Sequence, residues 1–495
     1  MRRSGILLPI SSLPSEYGIG CFSKDAYEFV DGLSEAHQHF WQILPLGQTS
    51  FGDSPYQSFS TFAGNPYFID LEKLIEEGLL TKEECDECDF GDDDRTVDYG
   101  KIYEERYDLL WCAFERSNIE ENDEFKKFVK DNEDWLPDYA LYMAIKDSFE
   151  GVAWTEWEED IRLRKKEALD EYREELEDDI LFYEFLQFKF VEQWMKLKKY
   201  ANDKGIEIIG DIPIYVAFDS ADCWSDTKLF QFNSDNVPIA VAGCPPDAFA
   251  ADGQLWGNPL YDWDYHKKTG YEWWIRRVQY SFRLYDVVRI DHFRGFDEYY
   301  SIPYGDKTAK NGKWEKGPGI DLFKSIEDKL GKLNIIAEDL GYLTDTVEKL
   351  VKDTGYPGMK LIQFAFDSRE QSNYLPHTYE KNTIVYTGTH DNDTLVGWYD
   401  SISEEDREYA LEYMNNRRTP KDKIYLDFVR MAMASVSDTA IIPLQDYLGL
   451  GSEARINTPS TLGGNWTWRM LPGELDEKTI GLISKMTKVY ERDNA

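Results

Sequence analysis

The 495-residue sequence predicts an α/β fold, a (β/α)8 TIM barrel with inserted, largely helical subdomains. Two observations carry that expectation. Eight short apolar runs, most of them closing on a polar or acidic residue, occur at 5–10, 40–46, 206–215, 286–291, 334–338, 359–367, 383–391 and 439–446. Between most of them lie helix-period segments, at 26–36, 322–330, 343–353, 404–415 and 421–434, with apolar residues three and four apart. Runs this short read as strands buried on both faces, and alternation of strand and helix builds a parallel sheet. Eight such strands favour a closed barrel, which gathers their C-terminal ends at one rim.

Residues 1–70 supply the start of the barrel, its first two strands. Residues 71–201 are charged and helix-forming, with runs such as Ile161-Arg162-Leu163-Arg164-Lys165-Lys166-Glu167 that read as solvated helix faces. A structureless loop of that length is implausible, so the stretch reads as a mostly helical insertion. Residues 202–216 return to the barrel. Residues 217–262, rich in Gly, Pro, Asp and Trp, follow a strand directly and read as a loop insertion over the rim. The remainder of the barrel is assigned to 263–495.

Asp and Glu total 94 against 55 Lys and Arg, a formal net charge of −39. Such a surface repels phosphate backbones and anionic lipid, so no nucleic acid and no membrane is expected as a partner. A neutral or cationic ligand fits. The amino-terminal apolar run, 5–10, is too short for a signal peptide, and no stretch reaches transmembrane length. The six cysteines, Cys21, Cys85, Cys88, Cys112, Cys223 and Cys244, are scattered. Cys85-Asp86-Glu87-Cys88 has C-x-x-C spacing but no second pair, and reads as two incidental thiols on a helical turn. The expected compartment is the cytoplasm.

Three of the runs close on a carboxylate: Val287-Val288-Arg289-Ile290-Asp291, Asn334-Ile335-Ile336-Ala337-Glu338, and the run ending Thr387-Gly388-Thr389-His390-Asp391. A strand-terminal acid sits at the edge of the core, where ionisation is affordable, and in a barrel that edge is where chemistry is done. Retaining glycoside cleavage needs a nucleophilic carboxylate and a protonated carboxyl about 5–5.5 Å apart. Side chains alternate along a strand, so Arg289 shares a face with Asp291 and favours its ionised form, as a nucleophile requires. Glu338 ends a more apolar strand, which raises its pKa and suits acid/base duty. Asp391 is a second fixed anion for positive charge developing at an anomeric carbon, and His292 and His390 are hydrogen-bond donors to the same sugar. Asp339 is expected to point elsewhere as a structural partner. For Asp211, in Ile209-Gly210-Asp211-Ile212-Pro213, substrate contact and support of the rim stay equally open.

Aromatic residues make up 15% of the chain, and Tyr56, Phe59, Phe249, Trp256, Tyr261 and Trp263 fall in rim segments. Sugar rings stack on such side chains, although core packing is the commoner fate of any one of them. Three other functions suit parts of the pattern: an α-glucan hydrolase with the same residues, a barrel using its acids as Mg²⁺ ligands, and a non-catalytic glucan-binding protein. Arg289 beside Asp291 argues against the metal site.

The chain resembles the 4-α-glucanotransferases of the amylomaltase, or disproportionating enzyme, type. The segments that carry the resemblance are Gly52-Asp53-Ser54-Pro55-Tyr56, Gly64-Asn65-Pro66-Tyr67, Gly210-Asp211-Ile212-Pro213-Ile214, Pro245-Pro246-Asp247 and Gly253-Gln254-Leu255-Trp256-Gly257-Asn258-Pro259. It continues through Arg289-Ile290-Asp291-His292-Phe293-Arg294-Gly295, Ala337-Glu338-Asp339-Leu340-Gly341 and Tyr386-Thr387-Gly388-Thr389-His390-Asp391. The resemblance implies a barrel with inserted subdomains, no cofactor and no catalytic metal. It implies α-1,4-glucan or maltooligosaccharide substrates and a covalent glucosyl-enzyme intercepted by another glucan's 4-hydroxyl. By motif, Asp291 becomes nucleophile, Glu338 acid/base and Asp391 transition-state stabiliser. Arg289, His292, His390, Asp211 and Asp367 fall in the donor subsite, and Tyr56, Phe249, Trp256 and Asn258 are further substrate-binding candidates. Two positions depart from the pattern of some members: Ala248-Phe249, where two bulky aromatics often stand, and Phe51 in place of a Tyr.

Overall fold

The structure is a computed structural model that describes residues 2–50, 52–246, 251–341 and 343–493. Each of the eight apolar runs contains a strand. These are β1 (Arg3–Leu7), β2 (Phe40–Gln42), β3 (Glu207–Pro213), β4 (Val287–Asp291), β5 (Ile335–Ala337), β6 (Gly358–Leu361), β7 (Thr383–Tyr386) and β8 (Thr439–Pro443). They form one parallel sheet in the order β6-β7-β8-β1-β2-β3-β4-β5. The ring closes between β5 and β6, where the Ala337 amide donates to the Pro357 carbonyl at 3.0 Å. Beside that bond the Asp339 carboxylate accepts from the Met359 amide at 2.7 Å, so Asp339 is the structural partner its position suggested.

Two-residue alternation divides each strand between two cores. Leu7, Phe40, Ile209, Val287, Ile336, Met359, Ile384, Tyr386 and Ile441 pack together inside the barrel, while the intervening residues join a larger cluster under the helices. Gly210 faces outward on β3 by that alternation, and glycine is required there because the Tyr285 ring would lie 2.2 Å from a Cβ. The predicted helical periods form the helices Lys24–Glu35, Ile320–Leu330, Asp345–Thr354, Glu404–Met414 and Tyr425–Ala434.

Between β2 and β3 the chain is helical, dominated by Tyr99–Ser117, Leu136–Ser148 and the 27-residue helix Glu177–Asp203. That last helix grips the rim segment that follows β2. Gln187 accepts from the Gly64 amide at 2.7 Å and donates to the Gly64 carbonyl at 2.9 Å, pairing with it as a strand would.

Three features differ from the expectation. The run 383–391 is a strand only to Tyr386, so Asp391 lies in a loop five residues beyond the strand end. Polar side chains there bond their own backbone instead of the ladder, as Asn392 does in accepting from the Thr389 amide at 2.8 Å. The run 359–367 likewise stops at Leu361 and turns through the single-turn helix Ile362–Phe364, leaving Asp367 six residues past β6. Finally, Ala240–Cys244 and Gln254–Pro259 pair with Glu298–Pro303 and Lys313–Lys316 in a four-stranded, antiparallel sheet beside the rim. Its edge strand Lys313-Trp314-Glu315-Lys316 is mostly exposed, so no apolar run marked it. No helix among the described residues is long and apolar enough to cross a membrane.

Candidate active site

The site grows from the pairing of β3 with β4, which sets Asp211 directly opposite Arg289. Arg289 is 3% exposed and joins two acids, Nη1 donating to Asp211 Oδ2 at 2.6 Å and Nη2 to Asp291 Oδ1 at 2.9 Å. The shared face of Arg289 and Asp291 is thus a direct ion pair. Burial works against the guanidinium's charge, but Asp211 and Asp291 outweigh it and hold the proton well above the usual range. Asp211 is wholly buried. Burial pushes its carboxyl up against the opposing pull of Arg289, and Oδ2 also accepts from the Tyr56 hydroxyl at 2.8 Å.

Glu338 follows β5 immediately. Its Oε2 accepts from the His292 amide at 2.7 Å and its Oε1 from the Leu340 amide at 2.8 Å. His292 reaches that position because it turns left-handed, at φ 52°, just after β4. Burial first, and then the charge of Asp291, push the Glu338 carboxyl up to about 8, against Arg289 and the two amides. The His292 ring meets Trp256 edge-on at 4.8 Å, its Nε2 is buried with no hydrogen-bond partner among the described residues, and burial pushes the imidazole down to about 4 despite Asp291.

Asp391 enters from the loop after β7. Asn457 Nδ2 donates to its Oδ1 at 2.6 Å, His390 Nε2 lies 3.4 Å from the same oxygen, and Arg455 holds its backbone carbonyl at 2.7 Å. His390 stacks on Tyr56 with ring centroids 5.1 Å apart, and Trp466 packs beside both rings. Tyr56 therefore joins the two halves of the rim, touching Asp211 on one side and His390 on the other. Asp211, Arg289, Asp291, His390, Asp391 and Tyr56 form one contact network, with Glu338, His292 and Trp256 at its flank.

The remaining candidates are placed differently. Asn258 is buried with both ends of its amide engaged, Nδ2 on the Val216 carbonyl at 2.8 Å and Oδ1 on Gln57 at 3.2 Å, which pins its strand to the segment after β3. Asp367 is held by Arg369 through three hydrogen bonds of 2.6–2.9 Å, which drop its carboxyl to about 2; its contacts are with that arginine and not with the network. Tyr261 is 1% exposed in a cluster with Trp263, Trp273 and Trp274, so for it core packing prevails. Phe249 and Phe51 lie outside the described residues. Asn457, Arg455 and Trp466 were not anticipated. They sit in irregular chain beyond β8, where neither a period nor a strand end marks them.

Among the described residues, no group of three or more His, Cys, Asp or Glu is arranged to hold a metal ion. A closed parallel barrel with an ion-paired carboxylate and a proton-retaining carboxyl at one rim is the equipment of an enzyme that works by nucleophilic and acid/base catalysis. More narrowly, the chain belongs to the 4-alpha-glucanotransferase family, which it matches over residues 8–475. It is 51% identical over 485 residues to the 4-alpha-glucanotransferase of Clostridium butyricum, covering 98% of this chain and 99% of that one. The Streptococcus pneumoniae enzyme of the same name is 51% identical over 496 residues, covering 100% of this chain and 98% of that one. Among solved structures, an amylomaltase from Streptococcus agalactiae in complex with acarbose superposes with a TM-score of 0.96 at 45% identity, over 100% of both chains.

Proposed function

We propose that this chain transfers α-1,4-glucan segments from a donor maltodextrin to the 4-hydroxyl of an acceptor glucan or glucose, with retention. Asp291 attacks the anomeric carbon while Glu338 gives its proton to the departing glycosidic oxygen, which leaves a covalent glucosyl-enzyme and an ionised Glu338. That carboxylate then takes the proton from an incoming 4-hydroxyl, which displaces Asp291. Asp391, oriented by Asn457, faces the positive charge that develops at the anomeric carbon in the transition state of each step, and Tyr56 and Trp256 offer ring faces to the sugars.

The observation that carries this reading is the unlike treatment of two neighbouring acids. Asp291 is paired with a buried guanidinium at 2.9 Å, while burial keeps the proton on Glu338 up to about 8. A pair of metal ligands has no use for that difference, and the guanidinium of Arg289 already neutralises the acids a cation would bind. Cys21 and Cys223, buried in the core as thiols, fit a reducing compartment such as the cytoplasm.

Incubation with maltotriose tests the function. Transfer yields glucose together with maltodextrins longer than the substrate, whereas maltose and glucose alone would identify a hydrolase. Activity lost in EDTA and restored by Mg²⁺ would instead favour the metal-dependent alternative.

A further inference from the structure

Asp446 is a buried acid with no part in the chemistry above. It lies in the short helix Leu444–Leu448 directly after β8 and is 2% exposed. One carboxyl oxygen accepts from the Thr387 hydroxyl at 2.5 Å and the other from the Leu395 amide at 2.7 Å. Thr387 is the first residue past β7, and Leu395 opens the helix Leu395–Ser401. A single side chain therefore fastens both ends of the loop whose middle is His390-Asp391. Gln363 seats the same loop from below. Its Nε2 donates to the Asp393 carbonyl at 2.7 Å, and a Cβ on Gly388 would come within 2.8 Å of that nitrogen.

Keeping a carboxyl here is costly, because its hydrogen-bond partners are neutral and burial pushes it up to about 7, with Asp393 adding to the shift. An apolar residue of similar size would pack with less penalty. Only a side chain with two polar atoms on one carbon can span the hydroxyl on one side and the amide on the other.

We propose that Asp446 is a positioning residue that sets the height and angle of Asp391 over the sugar by fixing residues 387 and 395 relative to each other. The proposal rests on the role given to Asp391 above. The clamp is insensitive to the state of the acid. When the carboxyl is protonated, or replaced by an amide, its carbonyl oxygen still accepts from Leu395. Its O–H or N–H then donates to Thr387 Oγ, whose hydroxyl turns to accept. Removing either contact releases the loop, and a displacement of about 1 Å in a catalytic group costs up to ~100-fold in rate.

Steady-state kinetics on the full chain with maltotriose test this, with folding checked by circular dichroism. Asp446→Ala and Thr387→Val are each expected to lower kcat by about tenfold or more while KM stays within about twofold, and Asp446→Asn to restore most of the rate. If Asp446 acts through Asp391, the double variant Asp391→Asn/Asp446→Ala is no slower than Asp391→Asn alone. A folded Asp446→Ala protein with the parent's kcat overturns the proposal, as does a double variant that loses the full product of the two single effects. Should Asp446→Ala fail to fold, Thr387→Val decides by the same criteria. An Asp391→Asn protein of full activity would instead overturn the role of Asp391.

Discussion

At the scale of single residues, the rim separates acids that are chemically alike. Glu338 keeps its proton to about 8, so the first half-reaction is expected to slow as pH rises through that value. A log kcat/KM profile for maltotriose should fall with a slope of about −1 above it. The same shift has a consequence for stability. Glu338 binds its proton more tightly in the folded protein than in the unfolded chain, where it titrates near the ordinary 4.5. Its contribution is therefore fully present below about 4.5 and lost as pH rises towards about 8. Glu338→Gln, neutral throughout, should melt higher than the parent in mildly alkaline buffer and alike in acid, while losing at least ~100-fold in kcat. A melting difference that does not change with pH would contradict this. Arg289→Leu leaves Asp211 buried opposite an apolar residue and should cost about 3–5 kcal/mol in urea unfolding. The pairing of Arg289 with Asp291 was legible because residues two apart on a strand share a face. Asn457 was not, because it reaches Asp391 from 66 positions away and belongs to no periodic segment.

At the scale of elements, what limits each strand is what it must pack against. Strand β3 tolerates only glycine at 210, where the Tyr285 ring approaches to 2.2 Å of a built Cβ. Gly210→Ala should destabilise the protein by about 1–3 kcal/mol and, by displacing the neighbouring Asp211, also lower kcat. Adding Tyr285→Leu should recover part of the stability. No recovery would place the cost in the backbone instead of the ring. All eight barrel strands were visible as apolar runs because parallel strands are buried on both faces. Their C-terminal ends were less so. The run 359–367 outlasts its strand because an apolar or aromatic residue can be buried in a turn as well as in a ladder, and the run 383–391 because its polar tail bonds its own backbone. The four-stranded sheet beside the rim escaped notice because its edge strand Lys313–Lys316 is charged and mostly exposed, and because Ala240–Cys244 and Gln254–Pro259 lie in a stretch whose Gly and Pro read as a loop.

At the scale of the whole molecule, the net charge of −39 is the excess of 94 Asp and Glu over 55 Lys and Arg. Mutual repulsion of that size favours expansion, and salt screens it over about 10 Å at 0.1 M. The melting temperature is expected to rise between low salt and about 0.3 M NaCl, read by differential scanning calorimetry. A fall would mean that the surface ion pairs outweigh the repulsion.

The sequence by itself determined the barrel, the place of its strands and the identity of the three rim acids. Burial pattern and two-residue alternation are local properties, legible wherever a strand is long enough to show them. Only the tertiary structure decided what holds the rest of the rim: Asp211 holds Arg289, Asn457 holds Asp391, and Asp446 holds the Asp391 loop. Proton affinity and side-chain orientation depend on what lies within a few ångströms, and in a closed barrel those neighbours come from strands and loops far apart in the chain.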